Sequence, residues 1–136
     1  MATAMSSYGI GTTTQLNYSA AVERVKATLA DEGFGILCEI DVAATLKKKL
    51  GVDFPPYAIL GACNPSLAHR ALSEDVDLGL LLPCNVVVRG ADVPGETVIA
   101  ANDPVAALSL TGKSSLRPLA EDVKARLTRA LEAVAN

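Results

Sequence analysis

Apolar positions along the chain repeat with two different periods, and the switches between them mark out the elements. In "SSYGIGTTTQL" Tyr8, Ile10 and Thr12 alternate with Gly9, Gly11 and Thr13, the two-residue repeat of a strand. From Asn17, a good helix cap, Val22, Val25 and Leu29 recur at helical spacing up to about Asp31, and Gly33 ends the run. "FGILCEID" returns to alternation. It places Phe34, Ile36, Cys38 and Ile40 on one face, and Gly35, Leu37, Glu39 and Asp41 on the other. On this reading Cys38 belongs to the core.

Asp41 caps a second helix running through Leu46 and Leu50 to Gly51, and the prolines of "VDFPP" force an open linker after it. "YAILGAC" is a third strand. Asn64-Pro65 then starts a helix whose buried stripe is Leu67, Ala68, Ala71 and Leu72, with His69 at its edge.

"DLGLLLPCNVVVRG" is the most apolar strand, with Leu80, Leu82, Cys84, Val86 and Val88 on one face and Leu81, Pro83, Asn85, Val87 and Arg89 on the other. Pro83 has no N–H, so this strand is expected at a sheet edge or bulged. "ADVPGE" turns it into "TVIAA", a hairpin. Asp103-Pro104 opens a short helix ending at Gly112. A last helix from about Ser115 carries Leu116, Leu119, Val123, Leu127, Leu131 and Val134 on one stripe.

The order β-α-β-α-β-α-β-β-α-α predicts an α+β fold, a mixed or antiparallel sheet with helices packed on one face. The length of 136 residues fits a single domain over 1–136. With 50% hydrophobic residues, no Trp and only 3 Tyr and 2 Phe, the core has to be aliphatic.

A net charge of −3, from 12 basic and 15 acidic residues, offers no basic stripe for nucleic acid. Lys47, Lys48 and Lys49 sit where they suit a helix dipole. No stretch reaches the roughly 20 apolar residues that span a bilayer, and the amino-terminal segment lacks the pattern of a signal peptide. A soluble, cytoplasmic protein with its three cysteines reduced is the expectation.

Cys63 is the first candidate for chemistry. It stands directly before Asn64-Pro65, so its sulfur lies beside the positive end of a helix, where a thiolate is favoured as nucleophile or metal ligand. The plainer alternative is a small apolar residue packed beside Gly61 and Ala62. Cys84 continues an apolar face but is flanked by Pro83 and Asn85; if its strand pairs with the one ending at Cys63, the two thiols come close. His69, four residues after Pro65, reaches that region only by leaning back towards the helix start. Cys63, His69 and Cys84 are thus a candidate ligand set for a soft metal ion, though without the short spacings that make such a reading strong. Glu39 and Asp41 share a strand face as a possible acid and base, but Asp41 is better explained as a cap. No catalytic residue is assigned, and whether the protein is an enzyme stays open.

The blocks "EGFGILCEIDVAATLKKKLGVDFPPYAILGACNPSLAHRAL" and "GLLLPCNVVVR" closely resemble the family called domain of unknown function 302, over roughly Val22 to Leu131. The resemblance implies a curved antiparallel sheet with helices against it, like the TATA-binding-protein architecture, and often a homodimer. The family's motif positions fall on Gly61, Cys63, Asn64, Pro65, His69, Pro83, Cys84 and Asn85, with no catalytic role attached.

Three functions compete. One is a module binding a small molecule, a haem or a metal ion in a pocket near Gly61, Cys63, Asn64, His69, Cys84 and Asn85. The second is thiol chemistry, with Cys63 reactive and Cys84 its resolving partner. The third is a structural dimerisation module using Leu81, Val87 and Arg89 as its patch.

Overall fold

The computed structural model describes residues 3–135; the first two residues of the amino-terminal segment lie outside that range. Six strands form one sheet: β1 (Thr3–Ser6), β2 (Gly9–Thr14), β3 (Gly35–Asp41), β4 (Tyr57–Cys63), β5 (Cys84–Gly90) and β6 (Thr97–Asn102). Their spatial order is β1-β2-β6-β5-β4-β3, and every neighbouring pair is antiparallel. Five α-helices complete the fold: α1 (Tyr18–Asp31), α2 (Val42–Leu50), α3 (Pro65–Glu74), α4 (Pro104–Ser109) and α5 (Arg117–Ala135). The expected α+β architecture is thus present.

Register explains where the core lies. Ala58, Leu60 and Ala62 face Val88, Val86 and Cys84, while Val88 and Val86 face Ile99 and Ala101. All of these are buried on one face of the sheet. Against them pack α1, through Val22, Val25 and Leu29, and α5, through Leu119, Val123, Leu127, Leu131 and Val134. Each fully buried Leu or Val contributes about 1.5–3 kcal/mol relative to exposure, so this aliphatic layer holds the fold together.

The helix starts follow the local chemistry. Asn17 Oδ1 accepts the Ala20 N–H at 2.9 Å, Asp41 Oδ1 the Ala44 N–H at 2.9 Å and Asp103 Oδ1 the Val105 N–H at 2.9 Å. After α1 the chain turns at Gly33, whose φ of 88° suits glycine, and the Phe34 N–H reaches back to the Leu29 carbonyl at 2.9 Å.

Four expectations are corrected. First, the amino-terminal strand is two strands, β1 and β2, joined at Ser7-Tyr8. Second, the apolar run before Cys84 is not strand. Asp75 accepts the Asp77 N–H at 3.0 Å and caps a 3-10 turn over Val76–Leu80, which leaves Leu80 fully exposed rather than in line with Val86. Third, Pro83 precedes β5, so it removes no ladder bond, and β5 is a central strand in regular register.

Fourth, a bulge between Ile36 and Cys38 breaks the alternation of β3. Phe34 stays buried, but Cys38 then pairs with Gly61 and Ile40 with Ile59, on the face away from α1 and α5. Cys38 is therefore an exposed thiol and not a core residue. Its place on the inner face goes to Glu39, which pairs with Lys26 of α1 at 2.6 Å.

Candidate functional site

Three elements meet where β4 ends and β5 begins. Cys63 closes β4; Asn64 caps α3 by accepting the Leu67 N–H at 3.4 Å; Cys84 opens β5 opposite Ala62. The end of β6 brings in Asn102, and α4 and α5 cover the remaining side with Leu108 and Val123. The result is a partly open cavity of about 50 Å³. Its wall is otherwise aliphatic and aromatic, including Phe34, Ala62, Leu67 and Leu82.

The polar groups on that wall are few. Cys63 and Cys84 are free thiols, the first half-buried and the second buried. Burial, and then the neighbouring Cys63, push the Cys84 thiol up from 9.0 to about 11, so it stays protonated at neutral pH. The Asn102 carbonyl oxygen is buried and accepts no hydrogen bond, a situation that costs about 1–3 kcal/mol.

The predicted residues divide. Cys63, Asn64 and Cys84 line the cavity together. Gly61 and Asn85 pair with one another one step along, and alternation turns them to the opposite face, with Asn85 exposed. There the bare backbone of Gly61 accommodates its neighbours, since a Cβ on it would lie 2.7 Å from Cys38 Sγ and 3.1 Å from Pro83 Cγ. His69 is exposed on the outer side of α3 and lines a separate depression with Arg70, Ser73 and Glu74.

The expected soft-metal set is accordingly not assembled: two thiols face the cavity and the imidazole does not. Among the described residues no group of three His, Cys, Asp or Glu side chains is arranged to hold a metal ion. A haem has no room either, because a single water needs about 10–15 Å³ on the same measure and the cavity offers about 50 Å³.

The dimer patch also changes. Leu81 packs against the core and lines the cavity, so it shares no surface with Val87 and Arg89.

Asn102 was missed in the sequence. Alternation along Val98, Ala100 and Asn102 assigns it to the face opposite Ile99 and Ala101, yet Asn102, the last residue of β6 before α4, lines the cavity. The available signal was an amide directly ahead of Asp103-Pro104, the same arrangement as Cys63 ahead of Asn64-Pro65.

Residues 10–134 match the family described as "Domain of unknown function DUF302". A solved structure, described as an uncharacterized conserved protein DUF302 from Bacillus stearothermophilus, is 31% identical in sequence. It superposes with a TM-score of 0.87 over 94% of this chain and 98% of that one. No curated protein matches the chain. No helix among the described residues is long and apolar enough to cross a membrane.

Proposed function

The chain belongs to the DUF302 family, and from the cavity at the end of its sheet we propose that it binds a small, largely apolar molecule carrying one hydrogen-bond donor. The observation that carries this reading is Asn102 Oδ1, buried without a partner on an apolar wall. Buried polar atoms are nearly always satisfied, so an unpaired acceptor on a residue that lines a cavity favours a visitor that donates to it once the amide turns towards the opening. The aliphatic wall supplies non-directional affinity, and the single acceptor supplies orientation.

Phenol and toluene make a direct test, because they share a ring and differ in the hydroxyl donor. Titration followed by amide chemical shifts is expected to move residues around Leu67, Cys84 and Leu108, with phenol binding about tenfold more tightly. Loss of that preference in Asn102→Leu supports the reading. Equal binding of both compounds by the wild type, or shifts confined to other surfaces, refutes it.

A second reading has its own support, the presence of both thiols on one cavity wall. Cys63 is the more accessible sulfur, and burial disfavours the thiolate at Cys84. Reactivity therefore belongs to Cys63. Cys38 is a separate exposed thiol, so the test is made in a Cys38→Ser background: alkylation of that variant but not of Cys38→Ser/Cys63→Ser, slowed by phenol, is the expected pattern; alkylation that phenol leaves unchanged argues against a shared site.

A further inference from the structure

The chain has six arginines, and five of them donate to a carboxylate or carbonyl oxygen within it. Arg70 alone makes no hydrogen bond or ion pair among the described residues. An acid that could neutralise it is at hand. Glu74 follows Arg70 by four residues on α3, the spacing at which opposite charges meet on a helix, with Cβ atoms about 5–6 Å apart. Yet the two side chains form no ion pair. The Glu74 carboxylate is held instead by Ser115, whose Oγ–H donates to Oε2 at 3.1 Å from the 3-10 turn (Ser114–Leu116) ahead of α5.

Arg70 and Glu74 both line the open depression on the outer side of α3. Its volume is about 560 Å³, in the range of small-molecule sites. The buried side chains of Leu116 and Leu119 give it an apolar floor. Ser73 adds an acceptor. Its hydroxyl proton goes to the His69 carbonyl at 2.7 Å, so the lone pairs of Oγ remain open.

We propose that this depression binds a free α-amino acid with an aliphatic side chain, as the zwitterion. The Arg70 guanidinium takes the carboxylate through two parallel N–H donors. The open oxygen of Glu74 and Ser73 Oγ accept from the ammonium. The aliphatic side chain lies on Leu116 and Leu119.

Charge selects this class over simpler ions. A bare carboxylate gains from Arg70 but meets Glu74, and a bare amine gains from Glu74 but meets Arg70. A zwitterion presents each sign to its opposite. The buried leucines of the floor favour an aliphatic side chain over a polar one. The depression shares only Leu119 with the cavity at the end of the sheet, so the proposal is independent of what that cavity binds.

Titration of the full chain with leucine, isocaproate and isoamylamine, followed by amide chemical shifts, tests the assignment. The three compounds share an isobutyl group and differ in their charges. Leucine is expected to move the amides of Arg70, Ser73 and Ser115 and to bind about tenfold more tightly than either of the others. Arg70→Gln should erase its advantage over isoamylamine, and Glu74→Gln its advantage over isocaproate. Both sites are exposed, so far-UV circular dichroism should match the wild type. Arg117→Gln, outside the depression, should bind leucine as the wild type does.

No shift on this face at about 50 mM leucine, a concentration that registers even millimolar affinity, overturns the site itself. Isocaproate binding as tightly as leucine overturns the zwitterion assignment, and so does leucine binding that Arg70→Gln leaves unchanged.

Discussion

Asp103 ties two helices together with its two oxygens. Oδ1 caps α4, accepting the N–H groups of Val105 at 2.9 Å and Ala106 at 3.4 Å, while Oδ2 takes the Lys124 ammonium of α5 at 2.7 Å. Both helices wall the cavity, and Asn102 is the residue immediately before this clamp.

The clamp gives stability a dependence on acid. Burial raises the Asp103 carboxyl, but the hydrogen bonds from Lys124, Ala106 and Val105 outweigh it and hold the group below its ordinary 3.8. A folded-state value below the unfolded one contributes stability above about pH 4, and that contribution is lost as pH falls through the lowered value. Asp103→Ala removes cap and ion pair and is expected to destabilise by about 1–2 kcal/mol near pH 7. Denaturant unfolding is the measurement, and the difference from wild type should shrink towards about pH 2. A constant difference across that range would assign the effect to packing alone.

Cys84 imposes the opposite slope in base. Its thiol is pushed up to about 11 in the folded protein, against 9.0 ordinarily. The folded state therefore keeps a proton that the unfolded chain releases, so stability is full below pH 9 and declines as pH rises towards 11. The decline due to this group is on the order of 2–3 kcal/mol at most. Cys84→Val keeps an apolar side chain of similar size, and its unfolding midpoint is expected to fall less than that of wild type over this window. Identical slopes would mean that the thiol is solvated.

Gly61 is crowded by two side chains, the Cys38 thiol and the Pro83 ring. Because a Cβ there would lie 2.7 Å from Cys38 Sγ and 3.1 Å from Pro83 Cγ, Gly61→Ala is expected to destabilise by about 1–3 kcal/mol. Cys38→Ala removes the closer obstacle. The double variant should therefore recover part of the loss in a thermal-unfolding cycle, leaving the Pro83 contribution. Full additivity of the two changes would show that the sulfur is not the obstacle.

What could be read from the residues was whatever is decided locally. Asn17, Asp41, Asn64-Pro65 and Asp103-Pro104 each start a helix because a short polar side chain reaches its own backbone. That Asn64 caps a helix directly after Cys63 was legible in the same way, whereas the closeness of Cys84 hung on a strand pairing that the residues alone left open. What failed depended on more distant partners. Cys38 changed faces through a bulge that no side chain announces. Leu80 and Leu82 fit a strand as well as a turn, and Asp75 decided between them. His69 lies on the flank of α3, and the burial of Leu67 and Ala71 turns that flank to solvent. The exposure of α2 was not legible either, since an apolar stripe looks the same whether its own chain or another molecule covers it.

Asn102 separates a structural role from a binding role by the sign of a stability change. Its buried carbonyl accepts nothing, so the empty protein bears the desolvation of that group without compensation. Leucine has nearly the same shape and no polar atom to desolvate. Asn102→Leu is therefore expected to raise stability by about 1 kcal/mol, measured by denaturant unfolding without ligand, while abolishing the preference for phenol over toluene. A gain in stability coupled to a loss of selectivity is what a residue retained for binding produces. Destabilisation by Asn102→Leu would instead mean that the amide holds the end of β6 in place, and the cavity would lose its one unsatisfied acceptor as an argument for a ligand.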